Sequence, residues 1–200
     1  IACELEPQAE RVLATCQQLI DQQTAAAARN DALIEQQESE LAGYLGLELP
    51  DSEKKVMHFE MLRLLELQVN RLGDESGVVE AEINLYGEQQ KALWYQLLDR
   101  EPDFFTLKDR EGDITKQLSR LKEQLKSLHA GIYGYEKELS SLRGGNAVTG
   151  PKAKELIDAL EENIRGIFTR VSGAGQRAEV LDIQGRLLDR GIDLKQSALG

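Results

Sequence analysis

The chain has 200 residues, which is enough for one domain or for two small domains with a hydrophobic core. Hydrophobic residues make up 41% and charged residues 30%, a balance that excludes a membrane-embedded chain and a disordered one. Aromatic residues are only 5% and there are 4 prolines, which argues against a β-sandwich or β-barrel. The net charge of −11 disfavours nucleic acid as a partner, because phosphate binding needs a basic surface.

The chain ends and the cysteines say little about the compartment. Cys3 and Cys16 are too few for a disulfide framework. No apolar run approaches the ~18–20 residues of a membrane span, so we expect no transmembrane segment in this chain. The first residue is Ile1 rather than methionine, which is compatible with a fragment or a processed product of a longer protein. The cytoplasm is the default expectation, and the compartment stays open.

The first predicted helix covers about residues 4–45 and carries apolar columns at a spacing of seven. One column is Leu5, Val12, Leu19, Ala26 and Leu33; a second is Leu13, Ile20, Ala27, Ile34 and Leu41; a third is Ala9, Cys16, Gln23, Asn30 and Gln37. A face this broad predicts a helix packed against two neighbours in a bundle. We expect the polar members of the third column to border solvent.

Two further helices are predicted before residue 101. The first covers about residues 52–72 and is apolar around most of its circumference. The five residues Gly73–Gly77 have the composition of a turn. The second then covers about residues 78–100 and ends before Pro102, because proline disfavours helical geometry in the residue that precedes it.

The strongest signal in the sequence is a pair of apolar lines between residues 107 and 142. Together they form a five-heptad seam that predicts a coiled-coil helix in which only Glu111 breaks the apolar pattern. The predicted interaction residues of this seam are Leu107, Ile114, Leu118, Leu121, Leu125, Leu128, Ile132, Tyr135, Leu139 and Leu142.

The charges beside the seam predict its orientation. Lys108, Arg110 and Lys122 flank its beginning, whereas Glu136 and Glu138 flank its end. A basic beginning and an acidic end complement each other when helices run antiparallel. We therefore predict antiparallel packing of this helix, either within the chain or between two copies.

Two adjacent aromatic residues precede the seam. Phe104 and Phe105 follow the predicted turn near Pro102. Neighbouring side chains at a turn cannot easily both face a core, so we expect one of the two to be available for docking a partner.

The last quarter of the chain is predicted as a separate helical hairpin. Its first helix ends near Val171, a hinge occupies Ser172–Gly175, and a shorter helix ends near Gly191 with a mobile tail behind it. The predicted domain boundary therefore falls between residues 145 and 146.

No motif in the sequence predicts catalysis, a metal or a cofactor. Residues 145–152 resemble a P-loop, but Pro151 separates the second glycine from Lys152, and no strand precedes them. Residues 173–178 match the looser dinucleotide-binding pattern, without the repeated βαβ units that such a fold needs. His58 and His129 lack metal-ligand spacing, and the acidic residues around residues 99–113 do not fit a calcium loop.

These features together predict an all-α, elongated multi-helix bundle with a long antiparallel coiled-coil segment. We expect a non-enzymatic structural or interaction protein that associates with itself or with another protein through helical surfaces. Two alternatives stay open. One is a ligand-binding sensor domain cut from a membrane receptor, with a pocket near Tyr86, Trp94 and Tyr95; the other is a coiled-coil arm of a larger ATPase or secretion machine. In the leading interpretation no small-molecule ligand is expected.

Overall fold

Four long helices make up nearly all of the described chain. They are α1 (Ala2–Ala42), α2 (Asp51–Leu97), α3 (Phe104–Gly144) and α4 (Pro151–Leu199). The computed structural model describes residues 2–44, 47–144 and 150–200, and side chains from residue 9 onward. Those ranges contain no strand. The predicted fold class, an all-α multi-helix bundle, is confirmed.

The predicted turn at Gly73–Gly77 is wrong, because α2 continues through it. The buried line of α2 keeps its three- and four-residue spacing across this segment, through Leu72, Ser76 and Val79. The glycines serve close helix packing here: a Cβ on Gly73 would lie 3.3 Å from Ile167 Cδ1, and one on Gly77 would lie 2.8 Å from Gln23 Oε1.

The predicted hinge at Ser172–Gly175 is also wrong, because α4 continues through it. Helix α4 is continuous from Pro151 to Leu199, and its buried face passes through Val171, Ala174 and Ala178 without interruption. A glycine inside a helix costs about 1 kcal/mol relative to alanine, and burial of one apolar face outweighs that cost. The tail that was expected to be mobile after Gly191 is helical up to Leu199.

The chain divides into two compact units, each containing a section of every helix. Unit 1 comprises Ile1–Asp21, Val78–Lys126 and Ser172–Gly200, and unit 2 comprises Gln22–Gly77 and Ser127–Val171. Each unit therefore includes chain from both sides of residue 145.

The core of unit 1 is formed by α2, α3 and α4. Its central cluster consists of Leu93, Leu97, Leu107, Ile114, Leu118, Leu188 and Ile192, with Tyr86, Trp94, Phe104 and Leu181 packed against it. Two polar contacts tie α4 to α2 beside this cluster. The buried Gln90 donates its Nε2 to the Leu181 carbonyl at 2.8 Å, and Lys195 Nζ donates to the Asp99 carbonyl at 2.7 Å. These contacts fix the position of α4 in unit 1.

The core of unit 2 draws on all four helices. Its buried side chains include Leu41, Leu62, Leu65, Val69, Leu72, Leu128, Ile132, Leu139, Leu142, Ala153, Ile157, Leu160, Ile164, Ile167 and Val171. Helix α1 contributes Leu41 to this core and also makes polar contacts with α2. Asn30 Nδ2 donates to Asp74 Oδ2 at 2.5 Å, and Gln37 Nε2 donates to Glu60 Oε2 at 2.5 Å.

Candidate interaction surface

The predicted seam of α3 lies inside the bundle. Nine of its ten side chains are buried: Leu107, Ile114, Leu118, Leu121, Leu125, Leu128, Ile132, Leu139 and Leu142. The tenth, Tyr135, is half-buried, and burial raises the pKa of its hydroxyl. Helices of the same chain cover these residues, so the seam is not available to a partner in this arrangement.

The basic beginning of the seam meets acidic residues of α4. Lys108 Nζ lies 2.5 Å from Asp189 Oδ1 and 2.7 Å from Asp193 Oδ1, and these hydrogen bonds raise the pKa of Lys108. Burial alone would lower the pKa of Lys122, but its contacts with α4 carboxylates, chiefly Asp182, raise it overall. Lys108 comes before Lys122 in α3, but its carboxylate partners come after Asp182 in α4. This order is consistent with the predicted antiparallel packing.

The one polar residue within the seam lies where α4 has a glycine. A Cβ on Gly185 would lie 3.2 Å from Gln90 Nε2 and 3.5 Å from Glu111 Oε1. Thr115 Oγ1 donates to Glu111 Oε1 at 2.8 Å. Burial raises the pKa of Glu111, and the nearby Asp189 adds to the effect. The small residue on α4 thus leaves room for a carboxylate in an otherwise apolar line.

The two adjacent phenylalanines face different environments. Asp103 caps α3 by accepting from the Thr106 backbone N–H at 3.2 Å and from the Thr106 hydroxyl at 2.6 Å, and these bonds lower the pKa of Asp103. Successive residues of the helix that starts there point about 100° apart. Phe104 packs against the core cluster of unit 1, whereas Phe105 is 82% exposed. The docking role of Phe105 stays a prediction.

A surface that the sequence analysis did not single out runs along α4 in unit 1. Val180, Ile183, Leu187 and Leu194 are 50%, 55%, 55% and 67% exposed, and we call these four residues the α4 outer stripe. At 100° per residue they lie within about one third of the helix circumference, opposite the buried Ala178, Leu188 and Ile192. The seven-residue spacing of Val180, Leu187 and Leu194 was the signal that could have identified it.

Arginines and carboxylates border the α4 outer stripe. Arg186 is exposed, and its Nη2 lies 3.8 Å from Asp182 Oδ2. Arg190 is exposed within the stripe itself, between Leu187 and Leu194. Asp193 keeps 59% of its side-chain surface exposed although it pairs with Lys108. The stripe therefore combines apolar side chains with charges of both signs.

Helix α1 uses only part of its apolar face. Among its described side chains, Ile20 and Leu41 are buried hydrophobics, whereas Val12, Leu19 and Leu33 of the first column are 40–47% exposed. The first column is therefore only partly covered: Val12, Leu19 and Leu33 are exposed, and Ala26 is half-buried.

The polar column of α1 lies in the contact with α2. Gln23, Asn30 and Gln37 are half-buried, and the last two have partners on α2. The three residues therefore stand at the edge of the α1–α2 contact, where the amide groups of Asn30 and Gln37 are hydrogen-bonded rather than turned wholly to solvent.

An open groove of about 490 Å³ lies beside Tyr86 in unit 1. It is lined by α1, α2 and α3, including Leu13, Leu93 and Ile114, with Arg110 and Asp113 among its polar residues. Of the aromatic residues expected at a ligand pocket, Tyr86 lines this groove. Trp94 packs against the core instead, and Tyr95 is 48% exposed.

The described residues contain no group of three or more His, Cys, Asp or Glu side chains that could hold a metal. His129 packs edge-on against Phe168, with ring centroids 5.8 Å apart. Burial raises the pKa of Cys16, which makes its thiol less reactive at neutral pH.

The dinucleotide-like residues 173–178 are helical. In the P-loop-like segment, residues 145–149 lie outside the described residues.

Comparison with protein families, curated proteins and solved structures finds no match to this chain. Among the described residues, none of the helices combines the length and the apolar character that a bilayer crossing requires.

Proposed function

We propose that this protein is a non-enzymatic structural or interaction protein that assembles with other protein through exposed helical surfaces. The observation that carries the proposal is the α4 outer stripe. Four large aliphatic side chains, each at least half exposed, line one side of a helix whose opposite side is buried. Contiguous apolar surface of this kind is typical of protein–protein contacts.

The end of unit 1 adds further apolar surface. Leu98 is 76% exposed in the turn after α2, and Phe105 is 82% exposed in the first turn of α3. Lys195 contacts the backbone carbonyl of Asp99, so α4 also reaches this turn. Large apolar and aromatic side chains at such a site supply much of the binding energy in protein interfaces.

Site-specific photo-crosslinking tests the proposal. A photoreactive phenylalanine analogue would replace Leu187 or Phe105 in the full chain, and Lys116, an exposed polar position of α3, would carry it in the matched control. We expect adducts in cells of the source organism at the first two positions and not at the third. The captured protein is then purified and titrated against wild type and Leu187→Asp, with at least tenfold weaker binding expected for the variant. Equal adduct yields at all three positions, or equal affinities, would contradict the proposal.

Ligand binding is a second candidate function, favoured by the groove beside Tyr86. Its mixed apolar and charged lining is typical of small-molecule sites. The half-buried Ala92 lines it, so Ala92→Trp should fill it and reduce binding of the fluorescent probe anilinonaphthalene sulfonate. Unchanged probe binding would remove this candidate.

A further inference from the structure

We propose that the α4 outer stripe binds a second copy of this chain, with the two α4 helices antiparallel. The inference rests on the proposed function and specifies the partner. Its basis is the pattern of charges beside the stripe, which favours one pairing of two identical helices over the others.

The stripe has the heptad form of a two-helix contact. Val180, Leu187 and Leu194 repeat every seven residues, and Ile183 lies three residues after the first of them. The residues that flank such a seam are then Glu179, Arg186 and Asp193 on one side. In an antiparallel pair this flank faces the same flank of the other copy.

One antiparallel register matches these charges. With the two-fold axis between residues 188 and 189, Ile183 of each copy packs against Leu194 of the other. Arg186 then lies beside Asp193 of the other copy, and symmetry makes this pair twice. The exposed part of the Asp193 carboxylate is available for it. Arg190 packs its aliphatic stem against Leu187 and keeps its guanidinium in water.

The competing pairings bring like charges together. If the two-fold axis of the antiparallel pair lies at residue 185, Arg186 of one copy faces Arg186 of the other, and Glu179 of one copy faces Asp193 of the other. A parallel pair in register places Arg190 of one copy opposite Arg190 of the other within the seam. Like charges in these positions are destabilising, so they select the first register.

The contact is limited to one helix from each copy. Its area falls near or below the low end of the ~1,200–2,000 Å² of stable complexes, so we expect a weak, concentration-dependent dimer. Measurements therefore have to extend to concentrations of several hundred micromolar.

Sedimentation equilibrium of the purified full chain tests the proposal. Wild type should form a reversible dimer, and Leu187→Asp should raise the dissociation constant at least tenfold. Leu33→Asp is the matched control, because Leu33 is a leucine of similar exposure on α1. An exclusively monomeric wild type, or a dimer weakened by Leu33→Asp and not by Leu187→Asp, would overturn the proposal.

The register is tested by charge exchange and by cysteine pairing. Arg186→Asp should weaken the dimer, and Arg186→Asp with Asp193→Arg in one chain should restore it. In a background with Cys3 and Cys16 replaced by alanine, a mixture of Ile183→Cys and Leu194→Cys chains should form a disulfide dimer, whereas neither variant alone should. Disulfides in the single variants would indicate parallel pairing and contradict the register.

The two proposals can fail separately. If the purified chain stays monomeric while the photo-crosslinked partner still loses affinity for Leu187→Asp, the second copy is the wrong partner and the stripe remains an interaction surface. If neither self-association nor partner binding depends on Leu187, both proposals fail.

Discussion

Helices α3 and α1 carry similar apolar heptad patterns, and the chain uses them differently. In α3, nine of ten seam residues are buried by the other helices. In α1, Ile20 and Leu41 are the buried hydrophobics among the described side chains, while Val12, Leu19 and Leu33 are 40–47% exposed. An apolar line at helical spacing therefore predicts a helix face reliably, but it does not predict whether the same chain covers that face.

The neighbours of each helix explain the difference. The seam of α3 faces α2 and α4, whose own apolar lines run along it, and Lys108 and Lys122 fix α4 through carboxylates. Helix α1 meets α2 through Asn30 and Gln37, which pair with acidic side chains. Apolar area counts toward stability only where it leaves water, so α1 should contribute less than α3.

Truncation of one leucine in each helix should distinguish α3 from α1 by a large difference in stability. Leu118→Ala removes a side chain that is 1% exposed in α3 and should lower the free energy of unfolding by about 2–5 kcal/mol. Leu19→Ala in α1 removes a 47% exposed side chain and should cost less than about 1 kcal/mol. Urea denaturation followed by circular dichroism measures both. Equal losses would show that α1 is as firmly packed as α3.

A smaller change in stability is expected for alanine substitutions at two glycines, one in the α1–α2 contact and one in the α2–α3 contact. A Cβ on Gly77 of α2 would meet the half-buried Gln23 of α1, whose flexible end can move away. A Cβ on Gly131 of α3 would lie 3.2 Å from Leu72 Cδ1, which is held in the core. Replacing glycine by alanine within a helix gains about 0.5–1 kcal/mol where space allows.

We therefore expect Gly77→Ala to raise the melting temperature and Gly131→Ala to raise it less or to lower it. Gly134→Ala is the control for helix propensity alone, because nothing lies within 4 Å of its Cβ position. A larger gain for Gly131→Ala than for Gly77→Ala would contradict the expectation that the α1–α2 contact adjusts more easily to an added methyl group than the α2–α3 contact does.

The smallest effect depends on pH. The raised pKa of Glu111 means that the folded state binds its proton more tightly than the unfolded state does. The folded state is therefore stabilised by protonation of Glu111 as pH falls through the raised pKa. At pH 7 the ionised carboxylate of Glu111 lowers the free energy of unfolding. Glu111→Gln should raise the melting temperature at pH 7 and lose this advantage near pH 4. Asp109→Asn, at an exposed position of the same helix, should show no such difference. An advantage independent of pH would rule out the ionisation explanation.

Elements whose signals do not depend on the rest of the chain could be predicted from the sequence. The seam of α3 and the lysines at its beginning follow from spacing and charge alone, and so does the outward orientation of one of Phe104 and Phe105. The breaks predicted at Gly73–Gly77 and Ser172–Gly175 were wrong because glycine occurs within helices as well as in turns. Gly73 and Gly77 bring two helices close, whereas nothing lies within 4 Å of the Cβ positions of Gly173 and Gly175. Only the buried lines of Leu72–Val79 and Val171–Ala178 distinguish these helical glycines from turn residues.

The α4 outer stripe was missed for a related reason. Val180 and Leu181 are adjacent, as are Leu187 and Leu188, and each pair sends one side chain to the core and one to the surface. The apolar character of two adjacent residues does not show which of them is buried. The position of α4 against α2 and α3 decides this, and contacts such as the one between Gln90 and the Leu181 carbonyl fix that position.

Hydroxyl-radical footprinting of the full chain across a concentration series distinguishes a seam that is covered within the chain from a stripe that is covered by a second copy. The α3 seam, represented by Leu118 and Leu121, should be protected at every concentration. Val180, Ile183, Leu187 and Leu194 should be labelled in dilute solution and become protected as concentration rises. Labelling of the α3 seam in dilute solution, or labelling of the α4 outer stripe that is unchanged by concentration, would contradict this expectation.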